Sequence, residues 1–102
     1  MAKLIALYKK PADAAAFNAY YFSTHLPIAK KISALRRYEV SAGPVATPHG
    51  DSMYHLAAIL NFDSLSTIQQ ALNSPEGQAT AADLANFAQA GVDLLIFESK
   101  DV

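Results

Sequence analysis

The sequence predicts an α+β fold in which a four-stranded antiparallel sheet carries its helices on one face. Three observations point to it. Short apolar runs at residues 3–9 and 92–98 have apolar side chains at consecutive positions, the pattern of strands buried on both faces. Residues 53–62 form the longest strand candidate, with a bulky apolar face (Tyr54, Leu56, Ala58, Leu60, Phe62) and a smaller, partly polar one (Met53, His55, Ala57, Ile59, Asn61). Segments with helical spacing or helix-forming composition separate these strands. The resulting order is strand, helix, strand, strand, helix with an extra helix, strand. A ferredoxin-like βαββαβ arrangement accommodates it with short connections.

In chain order, residues 3–9 place Leu4, Ala6 and Tyr8 on one face and Ile5 and Leu7 on the other, and Lys10-Pro11 closes the strand. Asp13 is a candidate N-cap ahead of Ala14-Ala15-Ala16, which favours helix. Arg36-Arg37-Tyr38-Glu39-Val40-Ser41 alternates with period two and stops at Ala42-Gly43-Pro44, so it reads as a strand. Residues 45–52 hold turn formers without periodicity and read as a loop, with His49 exposed in it. Met53 to Phe62 follow as strand, with the bulky face assigned to the helices and His55 to the far side of the sheet.

Asp63 or Ser64 caps a helix built on Leu65, Ile68 and Leu72. Ser74-Pro75-Glu76 opens a further helix as N-cap, first position and dipole partner, with Leu84, Phe87 and Ala88 as its apolar line. Gly91 stops it.

The first helix contains the most informative stretch, Tyr20-Tyr21-Phe22-Ser23-Thr24-His25-Leu26-Pro27. Phe17, Tyr21 and His25 are four apart and share one flank. Pro27 has no N–H to give Ser23 and disfavours helical geometry at Leu26, so a kink or restart is expected between about Ser23 and Pro27, with Thr24 as a candidate cap and the second segment ending near residue 32 or 33. His25 then lies beside free carbonyls, where it either satisfies the broken helix or serves as a tuned proton donor or acceptor.

At 102 residues the chain fits one domain, expected over residues 1–102. Eight Lys and Arg against nine Asp and Glu, scattered along the chain, form no basic face for nucleic acid. Cysteine is absent, which excludes disulfides, thiolate nucleophiles and cysteine zinc sites. The first apolar run is too short for a signal segment, and no run reaches membrane-spanning length. A cytoplasmic protein without membrane association is expected. His25, His49 and His55 lack metal-ligand spacing and the isolated glycines form no phosphate loop, so neither metal nor other cofactor is expected.

With every helix on one face, Ile5, Leu7, Ala57, Ile59, Leu94 and Ile96 are left as apolar positions that the helices cannot all cover. A second copy placed against the same face buries them and encloses a barrel. A homodimer is therefore expected.

Residues 3–11, the Tyr20-Tyr21…His25-Leu26-Pro27-Ile28-Ala29 stretch, Arg36-Arg37-Tyr38-Glu39-Val40 and Ser74-Pro75-Glu76-Gly77-Gln78, in this order and spacing, resemble the EthD family. That resemblance spans nearly the whole chain and implies a dimeric α+β barrel. It also implies the setting of ethyl tert-butyl ether degradation clusters, beside an oxygenase system. Relatives in the wider superfamily are cofactor-free isomerases, cyclases, decarboxylases and monooxygenases acting on small cyclic or aromatic compounds. His25 occupies the position that resembles the isomerase branch's histidine, while that branch's cysteine has no counterpart here.

Two functions follow as expectations. In the first, a small hydrophobic or aromatic ligand is bound by Tyr8, Tyr21 and Ile59, and His25, Tyr38 and His55 perform acid or base chemistry next to a carbonyl. In the second, the same cavity holds a hydrophobic intermediate for a partner oxygenase without catalysis. Convergence of His25, Tyr38 and His55 favours the first.

Overall fold

The computed structural model describes residues 1–102 and contains β1 (Ala2–Lys9), α1 (Ala14–Tyr20), a π-helical turn (Tyr21–His25), α2 (Leu26–Ala29), β2 (Arg37–Val40), β3 (Ala46–Thr47), β4 (Gly50–Asp51), β5 (Tyr54–Phe62), α3 (Leu65–Asn73), α4 (Pro75–Phe87) and β6 (Val92–Glu98). The main sheet has the order β2-β5-β1-β6, and every neighbouring pair is antiparallel. First and last strands are thus partners, the ferredoxin-like arrangement. Leu4, Ala6 and Tyr8 of β1 and Leu56, Ala58, Leu60 and Phe62 of β5 meet Phe17, Tyr21, Ile68 and Phe87 of the helices in one core. No helix is long and apolar enough to cross a membrane.

Side-chain caps set the helix starts. Asp13 accepts from the Ala16 N–H at 3.0 Å. Ser64, not Asp63, caps α3 through the Thr67 N–H, because both carboxylate oxygens of Asp63 are engaged by Arg36 at 3.1 and 2.9 Å. Ser74 caps α4 as expected, accepting from the Gly77 N–H at 3.1 Å with Pro75 in the first turn.

Pro27 does not break the first helix. Leu26 stays helical at φ −58° and ψ −46°, and its N–H reaches back five residues to the Tyr21 carbonyl. No side chain caps the junction. Thr24 instead pairs with the Ser23 hydroxyl, and the Ser23 hydroxyl donates to the Ala19 carbonyl. The Pro27 ring would crowd the carbonyl four residues earlier, and widening the preceding turn by one residue relieves that crowding without ending the helix. Four-residue steps drift by roughly 40° each on an ideal α-helix. The wide turn takes some of this drift back, and Phe17, Tyr21, His25 and Ala29 are all buried. Helical structure then ends at Ala29, earlier than expected.

Three further expectations are corrected. Residues 45–52 are not plain loop, since Ala46 and Thr47 pair with Asp51 and Gly50 around a Pro48-His49 turn, with Gly50 at φ +128°. The alternation of β5 fails at its start, because Tyr8 pairs with Leu56 while Lys9 pairs with Tyr54, leaving His55 as the extra residue of a bulge. His55 consequently turns to the helix side, against Phe17 and Asn18, while Tyr54 bonds Asp93 at 2.8 Å. In β6, Leu94 and Ile96 pair with Ala6 and Leu4 and so lie on the helix side. The residues of β6 that share the far face with Ile5, Leu7 and Ile59 are Asp93, Leu95 and Phe97.

Candidate functional site

His25 closes the π-helical turn and is 2% exposed. Phe87 of α4 and Tyr21 lie against its ring, at centroid distances of 4.6 and 5.4 Å. Its Nδ1 is 2.9 Å from Oδ2 of Asp83, itself buried on α4. The other oxygen of Asp83 accepts from the Tyr20 hydroxyl at 2.6 Å and from the Asn86 amide at 2.9 Å. Burial alone would raise the Asp83 pKa, but the bonds from Tyr20, Asn86 and His25 outweigh it and hold the carboxyl below its ordinary value. For His25 burial wins over Asp83 and depresses the imidazole pKa. At neutral pH the pair is therefore a neutral imidazole beside a carboxylate.

A cavity of about 70 Å³ lies between this helical layer and the sheet. Tyr8 of β1, Tyr38 of β2, His25 and Thr80 supply its polar groups. Leu4, Ala6, Ala58 and Leu60 form its floor, and Ile32, Leu72, Leu84 and Leu94 are among its other walls. Pockets for drug-sized ligands are several times larger, so the cavity suits a small occupant or one that displaces half-buried and exposed walls such as Leu84, Leu72 and Leu94. Tyr21 is fully buried and exchanges a 2.7 Å hydroxyl hydrogen bond with Tyr38. Burial pushes the Tyr8, Tyr21 and Tyr38 hydroxyls up, so all three remain protonated at neutral pH and can donate. No group of three or more His, Cys, Asp or Glu side chains is placed to hold a metal ion.

His25, Tyr38 and Tyr8 thus converge on one cavity, with Tyr21 supporting Tyr38 from behind. His55 does not join them. Its Nε2 is 2.7 Å from Asn18 Oδ1, and it lines a more open depression of about 610 Å³ with Lys10, Asn18, Phe22 and Val40, bordered by residues 41–45. Ile59 is on the opposite face of the sheet, away from the cavity. Asp83 was not legible in the sequence. It stands in an alanine-rich helix 58 positions after His25, and no local pattern in that helix marks it.

Fold and site together define a ferredoxin-like α+β protein whose helical layer holds an enclosed histidine at an apolar cavity. The family model of the EthD domain matches residues 9–91. An uncharacterized 11.0 kDa protein in the thcB-thcC intergenic region of Rhodococcus erythropolis is 38% identical over 102 residues, 100% of this chain and 98% of that one. This chain belongs to the EthD family. The crystal structure of an ethyl tert-butyl ether degradation (EthD) family protein from Bacillus halodurans superposes with a TM-score of 0.90 at 39% identity, covering 98% of this chain and 99% of that one. Two structures share the fold at lower identity. SnoaB from Streptomyces nogalater, a cofactor-independent oxygenase solved as a point mutant, has a TM-score of 0.67 at 12% identity, with 99% and 94% coverage. A dimeric ferredoxin-like protein of unknown function from Thermobifida fusca has a TM-score of 0.68 at 16% identity, with 94% and 88% coverage.

Proposed function

We propose that this protein binds a small cyclic or aromatic carbonyl compound between sheet and helices, and that His25 exchanges a proton with it without a cofactor. The observation that carries this reading is the enclosed His25–Asp83 pair at a cavity to which Tyr8 and Tyr38 also contribute. A buried imidazole is the residue type for moving a proton at a carbon next to a carbonyl. Phenols that stay protonated donate to the carbonyl oxygen as it gains negative charge. Proton removal leaves an enolate held by tyrosine, and return of the proton to another carbon completes an isomerisation; cyclisation and decarboxylation pass through the same type of anion. No lysine or arginine lines the cavity, which favours an uncharged ligand.

The protein acts as a homodimer in this proposal. Leu95 and Phe97 are 50% and 41% exposed on the face opposite the helices, beside half-buried Ile5, Leu7 and Ile59, and a second copy is the occupant that the dimeric neighbours support.

Mass spectrometry of the purified protein under native conditions identifies a co-purifying ligand. Proton exchange is then read by NMR in D2O on small cyclic ketones, with the wild type compared to His25→Asn. Loss of about a hundredfold to ten-thousandfold in exchange rate, with ligand retention unchanged, supports the proposal. A retained ligand with no exchange in either protein refutes catalysis and leaves the second reading, a carrier serving a partner oxygenase in an ether-degradation setting.

A further inference from the structure

We propose that Asp83, held by Tyr20 and Asn86, is a positioning residue that locks His25 with its proton on Nδ1, so that the bare Nε2 is what a molecule in the cavity meets. This deepens the role given to His25 above and rests on it. It assigns His25 the part of proton acceptor at the start of the reaction.

Hydrogen-bond accounting leads to this state. A carboxylate only accepts. Asp83 Oδ1 already receives two donors, the Tyr20 hydroxyl and the Asn86 amide, at 2.6 and 2.9 Å. Oδ2 is left for His25, whose Nδ1 lies 2.9 Å away. Nδ1 must therefore donate. In the neutral ring the proton is then absent from Nε2, which has no partner within the chain while the His25 side chain lines the cavity. Phe87 and Tyr21 pack against the ring and oppose its rotation.

Asp83 does not itself reach the cavity. Gly77, Thr80, Ala81 and Leu84 give α4 its cavity-facing row, and Asp83 stands beside that row with Asn86 and Phe87. The other titratable groups around His25 are the hydroxyls of Tyr8 from β1, Tyr38 from β2 and Tyr21 from its own helix, while α3, β5 and β6 contribute only apolar walls. Asp83 is the single carboxylate that can set the tautomer. When His25 takes a proton from a ligand, the imidazolium formed faces a carboxylate already oriented for it, which stabilises the charge.

Asp83→Asn separates this from simple packing. Tyr20 and Asn86 still donate toward the Oδ1 position, so the Asn carbonyl belongs there and its NH2 faces Nδ1. Nδ1 must then accept, and the proton moves to Nε2. In the full-length 15N-labelled protein at neutral pH, long-range 1H–15N correlation of the histidine rings reads the state directly, with His25 assigned by loss of its signals in His25→Gln. The expected result is a protonated Nδ1 and a bare Nε2 in the wild type, reversed in Asp83→Asn. The proton-exchange rate of Asp83→Asn should fall by about a hundredfold or more with little change in KM.

A wild-type ring protonated at Nε2, or one averaging between tautomers, overturns the inference whether or not the protein is active, and needs no variant to fold. An unchanged tautomer in folded Asp83→Asn overturns it too. The expected tautomers without exchange activity in either protein uphold the positioning of His25 and refute its catalytic use, so the two failures are distinguishable.

Discussion

Replacing Gly77 with alanine sets two effects of opposite sign against each other. Gly77 lies in the first turn of α4, where alanine is normally favoured over glycine by about 1 kcal/mol. Here a Cβ would stand 1.9 Å from the Ala71 carbonyl oxygen, 2.8 Å from its carbon and 2.9 Å from the Leu72 Cα. All three are backbone atoms of α3, so no side-chain rotation relieves the contact. Since ordinary contacts begin near 3.4 Å, the two helices must separate by on the order of an ångström, and overpacking of this kind typically costs about 1–3 kcal/mol or more. Ser74 bonds both the Ala71 carbonyl and the Gly77 N–H, which resists that separation. A contact this short with backbone atoms belongs at the upper end of that range, so overpacking wins and Gly77→Ala should be less stable by about 2 kcal/mol. Urea unfolding at fixed protein concentration measures it, and the melting temperature should fall by about 4–8 °C per kcal/mol for a chain of this size. Gly77 also walls the cavity on the helix that bears Asp83, so proton exchange should fall as well. A variant as stable as the wild type, or more so, would refute the close approach of α3 and α4.

Stability should decrease as the solution is acidified. His25 has a folded pKa below 6.5, so the unfolded chain binds the extra proton first, and stability is lost as pH falls from about 6.5 toward the folded value. Asp83, depressed below 3.8, adds a second loss as pH falls below that range. Unfolding free energies measured from pH 7 to 5 should show the slope in the wild type and a flatter profile in His25→Gln; equal slopes would mean that another group titrates. For the proposed dimer, Leu95→Glu on the exposed sheet face should shift sedimentation from dimer to monomer, while a wild type that sediments as a monomer at micromolar concentration would remove the basis for that face as an interface.

Period and punctuation made much of the fold legible. The contrast between the bulky and the smaller face along most of β5 identified which of its side chains enter the core, and Asp13, Ser74 and Pro75 marked helix starts because caps act within a few residues of the sequence that encodes them. The same locality explains the errors. Alternation near His55 was correct until the bulge opposite Tyr8 and Lys9 inserted an extra residue, a property of two paired strands and not of either alone. The faces of β6 could not be read from Val92-Asp93-Leu94-Leu95-Ile96-Phe97, where apolar residues run consecutively, until pairing with β1 set the register.

Composition and local chemistry by themselves determined an α+β chain with βαββαβ order, an aromatic first helix disturbed at Pro27, and a histidine on its inner flank. Tertiary structure alone decided what His25 is. Local rules allow a break, a kink or a wide turn at Pro27, and the core selected the wide turn that keeps Phe17, Tyr21, His25 and Ala29 buried. The partner of His25 comes from 58 positions away, where α4 crosses the first helix and brings Asp83 to 2.9 Å. A carboxylate in an alanine-rich helix has no periodicity or spacing to announce it, because its meaning lies in burial and in three donors from separate positions, and those exist only once the helices pack.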